Sequence, residues 1–142
     1  MRHLSFVLDA NIYISYAITD TIIDLTKIVT YNTLNIYVCD EIYDEIIRVS
    51  KYPHLAKYKI NGKELLNDIN KFARYFPLKY PIKRYIPNDP HDDYVIALAL
   101  QTNSGFVGSG DKDILDNKEA LESKFKKLKI LTLREFKDLF KT

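Results

Sequence analysis

The sequence predicts an α/β fold, a three-layer α/β/α sandwich around a mainly parallel five-stranded sheet. Three observations predict it. Short, mostly apolar runs such as Leu4–Leu8 and Gly105–Ser109 lack the polar alternation of a half-solvated sheet and are of the kind buried on both faces. They alternate with stretches of helical period, as βαβ units do. The runs also end in polar residues, Asp9 and Ser109 among them, and right-handed crossovers bring such ends to one edge.

Leu4–Leu8 is the first strand, and Asp9 stands at its carboxyl end, where open α/β sheets place ligands. A carboxylate there is costly to bury unless something neutralises it, although capping the next helix is an equally ordinary use of the residue. Asn11 opens an apolar helical segment, Ile12 to Ile18. Thr19 or Asp20 then caps a helix running to about Tyr31, with Ile22, Ile23, Leu25, Ile28 and Val29 at helical spacing. Asn35–Cys39 is the second strand, and Asp40 is the N-cap of a helix with the apolar stripe Ile42, Ile46 and Val49. Glu45 falls in that stripe and needs a partner, whereas Glu41 and Asp44 have easier access to water. Pro53 breaks the helix, and Lys51–Gly62 reads as loop or a short helical piece. Glu64–Phe76 reads as a helix burying Leu65, Leu66, Ile69, Phe72, Ala73 and Phe76; Pro77 and Pro81 end it, and Ile82–Ile86 reads as a short edge strand.

Asp89 followed by Pro90 is a helix start, with Asp as N-cap and Pro at the first helical position. Asp92 and Asp93 sit in the first turn, where the helix dipole favours carboxylates. Three acids and a histidine in five residues nevertheless exceed what capping requires. Tyr94–Leu100 is apolar nearly all round, so this helix is buried and its acidic end is held in place. Gly105–Ser109 is another strand, ending in Ser109-Gly110-Asp111-Lys112-Asp113. A short helix begins at Ile114 and Leu115, a second spans Lys118–Phe125, Leu128 to Leu131 supplies the last strand, and Thr132 opens an amphipathic helix to Phe140.

At 142 residues the chain reads as a single domain spanning 1–142, of ordinary globular composition at 46% hydrophobic and 28% charged residues. No run is apolar enough to cross a membrane, and the start lacks the apolar stretch of a signal peptide. Cys39 is the only cysteine, which excludes an intrachain disulfide and a thiolate metal site and suits a reducing, cytoplasmic compartment. The net charge of +2 is unevenly spread: residues 51–88 hold nine Lys/Arg against Glu64 and Asp68. An acidic body carrying this basic middle, with tyrosines among its cations, points to a polyanionic partner, although a solvated helical hairpin accounts equally for the pattern.

Asp9, Glu45, Asp92 and Asp111 can all reach the carboxyl edge of the sheet. Four carboxylates there would repel and raise one another's pKa values, a conflict that a hard divalent cation resolves. Mg²⁺ or Mn²⁺ suits oxygen donors, and the His/Cys set expected for zinc is lacking.

At these residues the sequence resembles the PIN domain family. Val7-Leu-Asp-Ala-Asn-Ile-Tyr-Ile-Ser is similar to that family's opening, with its first acid and Asn at Asp9 and Asn11. Glu45 stands at the second acid. Asp89-Pro-His-Asp-Asp and Ala97-Leu-Ala resemble the third motif, with Asp92 as its metal-facing acid, and Val107-Gly-Ser-Gly-Asp-Lys-Asp-Ile-Leu the fourth, with Ser109 and Asp111. The resemblance covers nearly the whole chain and is greatest to the stand-alone, VapC-like branch, toxin components of toxin–antitoxin pairs. It implies strand order 3-2-1-4-5 and a metal-dependent endoribonuclease. The expected site is Asp9, Glu45, Asp92 and Asp111 holding one or two Mg²⁺ or Mn²⁺ ions, with Asp93 and Asp113 as further candidate ligands. Asn11 and Ser109 would orient carboxylates or waters. The basic segment 51–88 would dock RNA through Lys79, Lys83, Arg84 and Tyr85, or else bind an antitoxin or a second copy of the chain as a homodimer. A non-catalytic or RNA-processing PIN-fold module is the alternative. Receiver-like and haloacid-dehalogenase-like readings fit less well, because Asp9 is followed by Ala10 and Asn11 rather than by a second acid.

Overall fold

The computed structural model describes residues 4–87 and 89–141. Five parallel strands lie in the order β3-β2-β1-β4-β5: β1 Ser5–Leu8, β2 Asn35–Val38, β3 Ala73–Tyr75, β4 Phe106–Gly108 and β5 Lys129–Leu131. Ser5 pairs with Asn35 on one side of β1, and Leu8 with Gly108 on the other. Phe6, Val7 and Leu8 are fully buried, which is why this run carries no polar alternation.

Among the described residues eight α-helices flank the strands: α1 Ala10–Ile18, α2 Ile22–Asn32, α3 Asp40–Ser50, α4 Gly62–Asn70, α5 Asp93–Gln101, α6 Lys112–Asp116, α7 Lys118–Lys124 and, after β5, α8 Leu133–Leu139. They cover both faces of the sheet. Phe6 turns to α8, its ring 5.3 Å from that of Phe136, and Leu8 meets Ile12 of α1 beside Gly108. The crossover from β3 back to β4 reverses direction, so a right-handed connection puts α5 on the opposite face. Val95 to Ala99 are buried there, the all-round burial that the apolar run required. Thr132 and Glu135 form a capping box that starts α8.

Two elements differ from expectation. The helix read over Glu64–Phe76 stops at Asn70, and the chain turns at Lys71–Phe72 into β3. Phe72 and Phe76 stand at helical spacing from Ile69, but β2 needs an edge partner: Ala73, Arg74 and Tyr75 pair with Ile36, Tyr37 and Val38, and the Phe76 amide donates to the Val38 carbonyl at 2.8 Å. Ile82–Ile86 is not a strand. The amides of Tyr85 and Ile86 are taken up by the Asp93 carboxylate instead of a neighbouring strand. Asp40 is the first helical residue of α3, with Cys39 in the N-cap position. Short 3₁₀ turns at Pro53–Tyr58 and Pro90–Asp92 precede α4 and α5.

Candidate metal centre

The order 3-2-1-4-5 makes the gap between β1 and β4 the topological switch point, where parallel sheets leave a crevice at their carboxyl ends. Asp9 sits there, 4% exposed. One of its oxygens caps α1 by accepting from the Ala10 amide at 2.8 Å. The other accepts from Ser109 Oγ at 2.8 Å and from Asn11 Nδ2 at 3.1 Å. Capping and site-building are therefore done by the same carboxylate, one oxygen each.

The Asp9 amide donates to the Gly108 carbonyl at 2.8 Å, and beyond that bond side chains tie the end of β4 to the end of β1. Ser109 is fully buried; its hydroxyl donates to Asp9 and accepts from the Asp111 amide at 3.0 Å. Asn11 Oδ1 accepts from the Gly110 amide at 2.8 Å, and its Nδ2 approaches Ser109 Oγ at 3.4 Å. Asp111 in turn caps α6 by accepting from the amides of Asp113 and Ile114, at 2.8 and 3.4 Å.

Asp9, Asn11, Glu45, Asp92 and Asp111, with apolar neighbours from α1 and α3, line one small cavity of about 170 Å³. Asp92 enters it from the junction between the 3₁₀ turn and α5, and Glu45 from α3. Oxygens of Asp92, Asp111 and Asp89 lie within 4.8 Å of one another. Asp9 and Glu45 share the cavity without joining that close trio. Glu45 pairs with Arg48 one turn along α3, a partner legible in sequence from the i, i+3 spacing.

Burial and mutual repulsion set the protonation of the cluster. Burial pushes the Asp9 carboxyl up to about 6 against the hydrogen bonds from Ser109 and Ala10, and the charges of Asp111 and Glu45 add to the rise. Asp92 is raised further, first by burial, then by its hydrogen bond with Asp111, the charge of Asp9 and its hydrogen bond with Asp89. Each of these causes favours the protonated form of Asp92 when no cation is present. Its Oδ2 is buried without a hydrogen-bond partner among the described residues, as is the hydroxyl of Tyr94, which burial and the charges of Asp9, Glu45 and Asp92 hold well above its ordinary value. An oxygen-only donor set with an unpartnered carboxylate oxygen suits a hard divalent ion such as Mg²⁺ or Mn²⁺.

Of the further candidates, Asp93 has another task. It is 2% exposed, its Oδ1 accepts from the amides of Tyr85 and Ile86 at 2.9 and 2.7 Å, and its Oδ2 faces Arg84 Nε at 3.3 Å. Helical phase separates it from Asp92 by about 100°, and it does not line the cavity. Asp113 borders the trio and feels Asp89 and Asp111: its carboxyl is raised by desolvation first, then by their charges. Asp89 was legible only as a cap, a task it performs by accepting from the His91 amide at 3.1 Å. The crowding of acids around Pro90 was its one sequence signal.

The cationic residues of the basic segment divide. Lys83 is exposed. Lys79 exchanges backbone hydrogen bonds with the Gln101 amide, both at 2.9 Å, and holds its ammonium 5.9 Å from the Phe76 ring centre. Arg84 is tied to Asp93 and to the Pro87 carbonyl, and the Tyr85 ring meets Phe125 edge-on at 5.8 Å.

No family model matches the chain, and no curated protein does. Among solved structures it is similar to VapBC2 from Rickettsia felis, bound to a DNA fragment from their promoter. The TM-score is 0.53 and the identity 12%, over 91% of this chain and 98% of that one. At that identity the likeness establishes the fold, and the α/β architecture with order 3-2-1-4-5 is the one the family resemblance implied. Among the described residues no helix is long and apolar enough to cross a membrane.

Proposed function

We propose that the chain is a metal-dependent endoribonuclease, hydrolysing RNA phosphodiester bonds with Mg²⁺ or Mn²⁺, and that it is the toxin of a toxin–antitoxin pair. The observation that carries the nuclease reading is the cavity at the switch point, lined by four carboxylates from α3, the 3₁₀ turn before α5 and the ends of β1 and β4, in which a buried Asp92 oxygen has no partner among the described residues. Carboxylates so placed destabilise the fold unless a cation or a proton offsets them. The toxin reading, with an antitoxin as protein partner, is supported by the sequence resemblance and by the likeness to VapBC2 over nearly the whole of both chains.

Asp9, Glu45, Asp92 and Asp111 would hold the ion or ions, with Asp89 within reach of the same oxygens. When bound, the metal supplies Lewis-acid polarisation of a phosphate oxygen and a more acidic water. The protein's own contributions follow from the hydrogen bonds. Ser109 and Asn11 donate to one oxygen of Asp9, fixing its rotamer at the rim of β1. Because burial and its acidic neighbours favour the protonated form of Asp92, holding a cation would require it to give up a proton, and affinity would weaken as pH falls. Arg48 steadies Glu45 from the solvent side. Asp93 anchors the segment before Asp89 and thereby the position of the 3₁₀ turn.

The test is cleavage of a mixed-sequence single-stranded RNA by the purified protein with Mn²⁺ or Mg²⁺ and with EDTA, alongside Asp111→Asn. The expected result is cleavage that requires the metal and falls by about a hundredfold or more in the variant, the scale of losing one charge-stabilising group at a reacting centre. Cleavage that persists in EDTA, or an Asp111→Asn rate equal to wild type, refutes the assignment.

A further inference from the structure

Two basic stretches that are 40 residues apart in sequence meet in the fold. The segment 79–86 is a strap lying antiparallel along α5: Lys79 is bonded to Gln101 at the helix's last residue, and Tyr85 and Ile86 to Asp93 at its first. It climbs from the amino-terminal edge of the sheet to the turn that holds Asp89, a rise of about 12 Å for nine helical residues. Its Tyr85 ring touches Phe125, at the start of the turn Phe125–Leu128 that leads into β5. That turn carries Lys126 and Lys127 and is flanked by Lys124 at the end of α7 and Lys129 at the start of β5, all four exposed.

Beside it, at the edge opposite the acidic cavity, lie two adjoining clefts of about 530 and 420 Å³ that share Asn103, Gly105 and Lys127. Lys126, Lys127 and Lys129 line them, and no acidic residue does. Glu122, the nearest acid on α7, is occupied: it takes the Lys118 ammonium at 3.3 Å and the Ile130 amide at 2.9 Å. Among the described residues Lys126, Lys127 and Lys129 have no ion-pair partner. Three ammonium groups around an acid-free cleft, in a chain of net charge only +2, make a local field that attracts polyanions.

We propose that this cleft docks the sugar–phosphate backbone of a single-stranded RNA whose other end lies in the acidic cavity. The strap with Lys83 and Arg84 is the track between them, and the proposal rests on the nuclease reading for that second end. Charge complementarity names the polyanion. Continuity names RNA rather than an acidic peptide, because the band runs from the cleft through the Tyr85–Phe125 contact to the turn carrying Asp89 and Asp92, where a phosphate would be cut. The half-buried Phe125 offers a ring at the mouth of the cleft for an unpaired base.

The experiment measures binding without cleavage, by fluorescence anisotropy of the full chain carrying Asp111→Asn, in EDTA, over a range of salt. The probes are a labelled dinucleotide and a single-stranded RNA of about 12 nucleotides, within the footprint of single-strand binders. The longer RNA is expected to bind at least tenfold more tightly than the dinucleotide. Adding Lys126→Glu, Lys127→Glu and Lys129→Glu is expected to abolish that gain and to lower the salt slope by about 2, at roughly 0.7 per phosphate. Reversing Lys27, Arg134 and Lys141, three exposed cations outside both basic stretches, controls for net charge, and far-UV circular dichroism controls for folding. Unchanged length dependence in the triple variant overturns the proposal. So does an equal loss in the control set. So does a triple variant that alters only the oligomeric state, which would make the cleft an interface between copies. If wild type binds through the cleft but never cleaves RNA with Mn²⁺ or Mg²⁺, the nuclease reading falls and RNA docking stands.

Discussion

Replacing Asp9 by Asn separates the charge of the site from its shape. The carboxyl is 4% exposed and its pKa rises from 3.8 in the unfolded chain to about 6 in the fold. A raised carboxyl pKa means that the folded protein holds the proton longer, so its contribution to stability is complete below pH 3.8 and is lost as pH rises through about 6. The shift corresponds to about 3 kcal/mol lost between those limits. The Asn side chain titrates nowhere in this range. It can still accept from the Ala10 amide, but its NH₂ replaces the oxygen that accepted from Ser109 and Asn11. The NH₂ can donate to Ser109 Oγ instead, while Asn11 Nδ2, whose Oδ1 is already held by Gly110, is left facing a donor, a net loss of one hydrogen bond worth about 1 kcal/mol. In EDTA the variant should therefore be about 1 kcal/mol less stable than wild type at pH 3 and about 2 kcal/mol more stable at pH 8. Asp9 also raises Asp92, so its removal relieves a second carboxyl in the same direction. The chain has no tryptophan, so urea unfolding is best followed by far-UV circular dichroism at several pH values. Mn²⁺ should reverse the order at pH 8, since a ligand at a hundred times its dissociation constant adds about 2.7 kcal/mol to the protein that binds it. A stability difference of one sign and size at both pH values would refute the argument that Asp9 ionises against its own burial.

Asp93→Ala should cost about 2–4 kcal/mol, because the Tyr85 and Ile86 amides and Arg84 lose their shared acceptor. Hydrogen exchange checks it directly: the two amides must lose protection, and if they stay as protected as in wild type the strap is held by something else. Gly108→Ala would place a methyl 2.7 Å from a Leu8 methyl inside the sheet, an overpacking that should cost about 1–3 kcal/mol and lower the melting temperature by several degrees. An unchanged melting temperature would mean that Leu8 finds another rotamer in a core where it is fully buried.

Local periodicity was enough to place much of the secondary structure. Apolar runs without polar alternation became the strands β1, β2, β4 and β5, the apolar Tyr94–Leu100 stretch became the buried helix α5, and Thr132 started α8 with a capping box. The acids at Asp9 and Asp111 were legible too, because a carboxylate just past a buried strand must lie at the sheet's carboxyl edge whatever the neighbouring elements do. Long-range pairing decided the rest. The edge strand settled on Ala73–Tyr75 because β2 offered it a ladder that no helical spacing reveals. Of two adjacent aspartates, Asp92 turned into the cavity and Asp93 turned to the Tyr85 and Ile86 amides, a choice made by the rotation of one residue about a helix axis. Asp89 joined Asp92 and Asp111 only because the 3₁₀ turn folds it back over the end of β4. The Lys124–Lys129 run met the 79–86 strap at the Tyr85–Phe125 contact, which joins residues far apart in sequence. Periodicity reports which way a side chain faces along its own element, and only packing between elements sets which other side chains it meets.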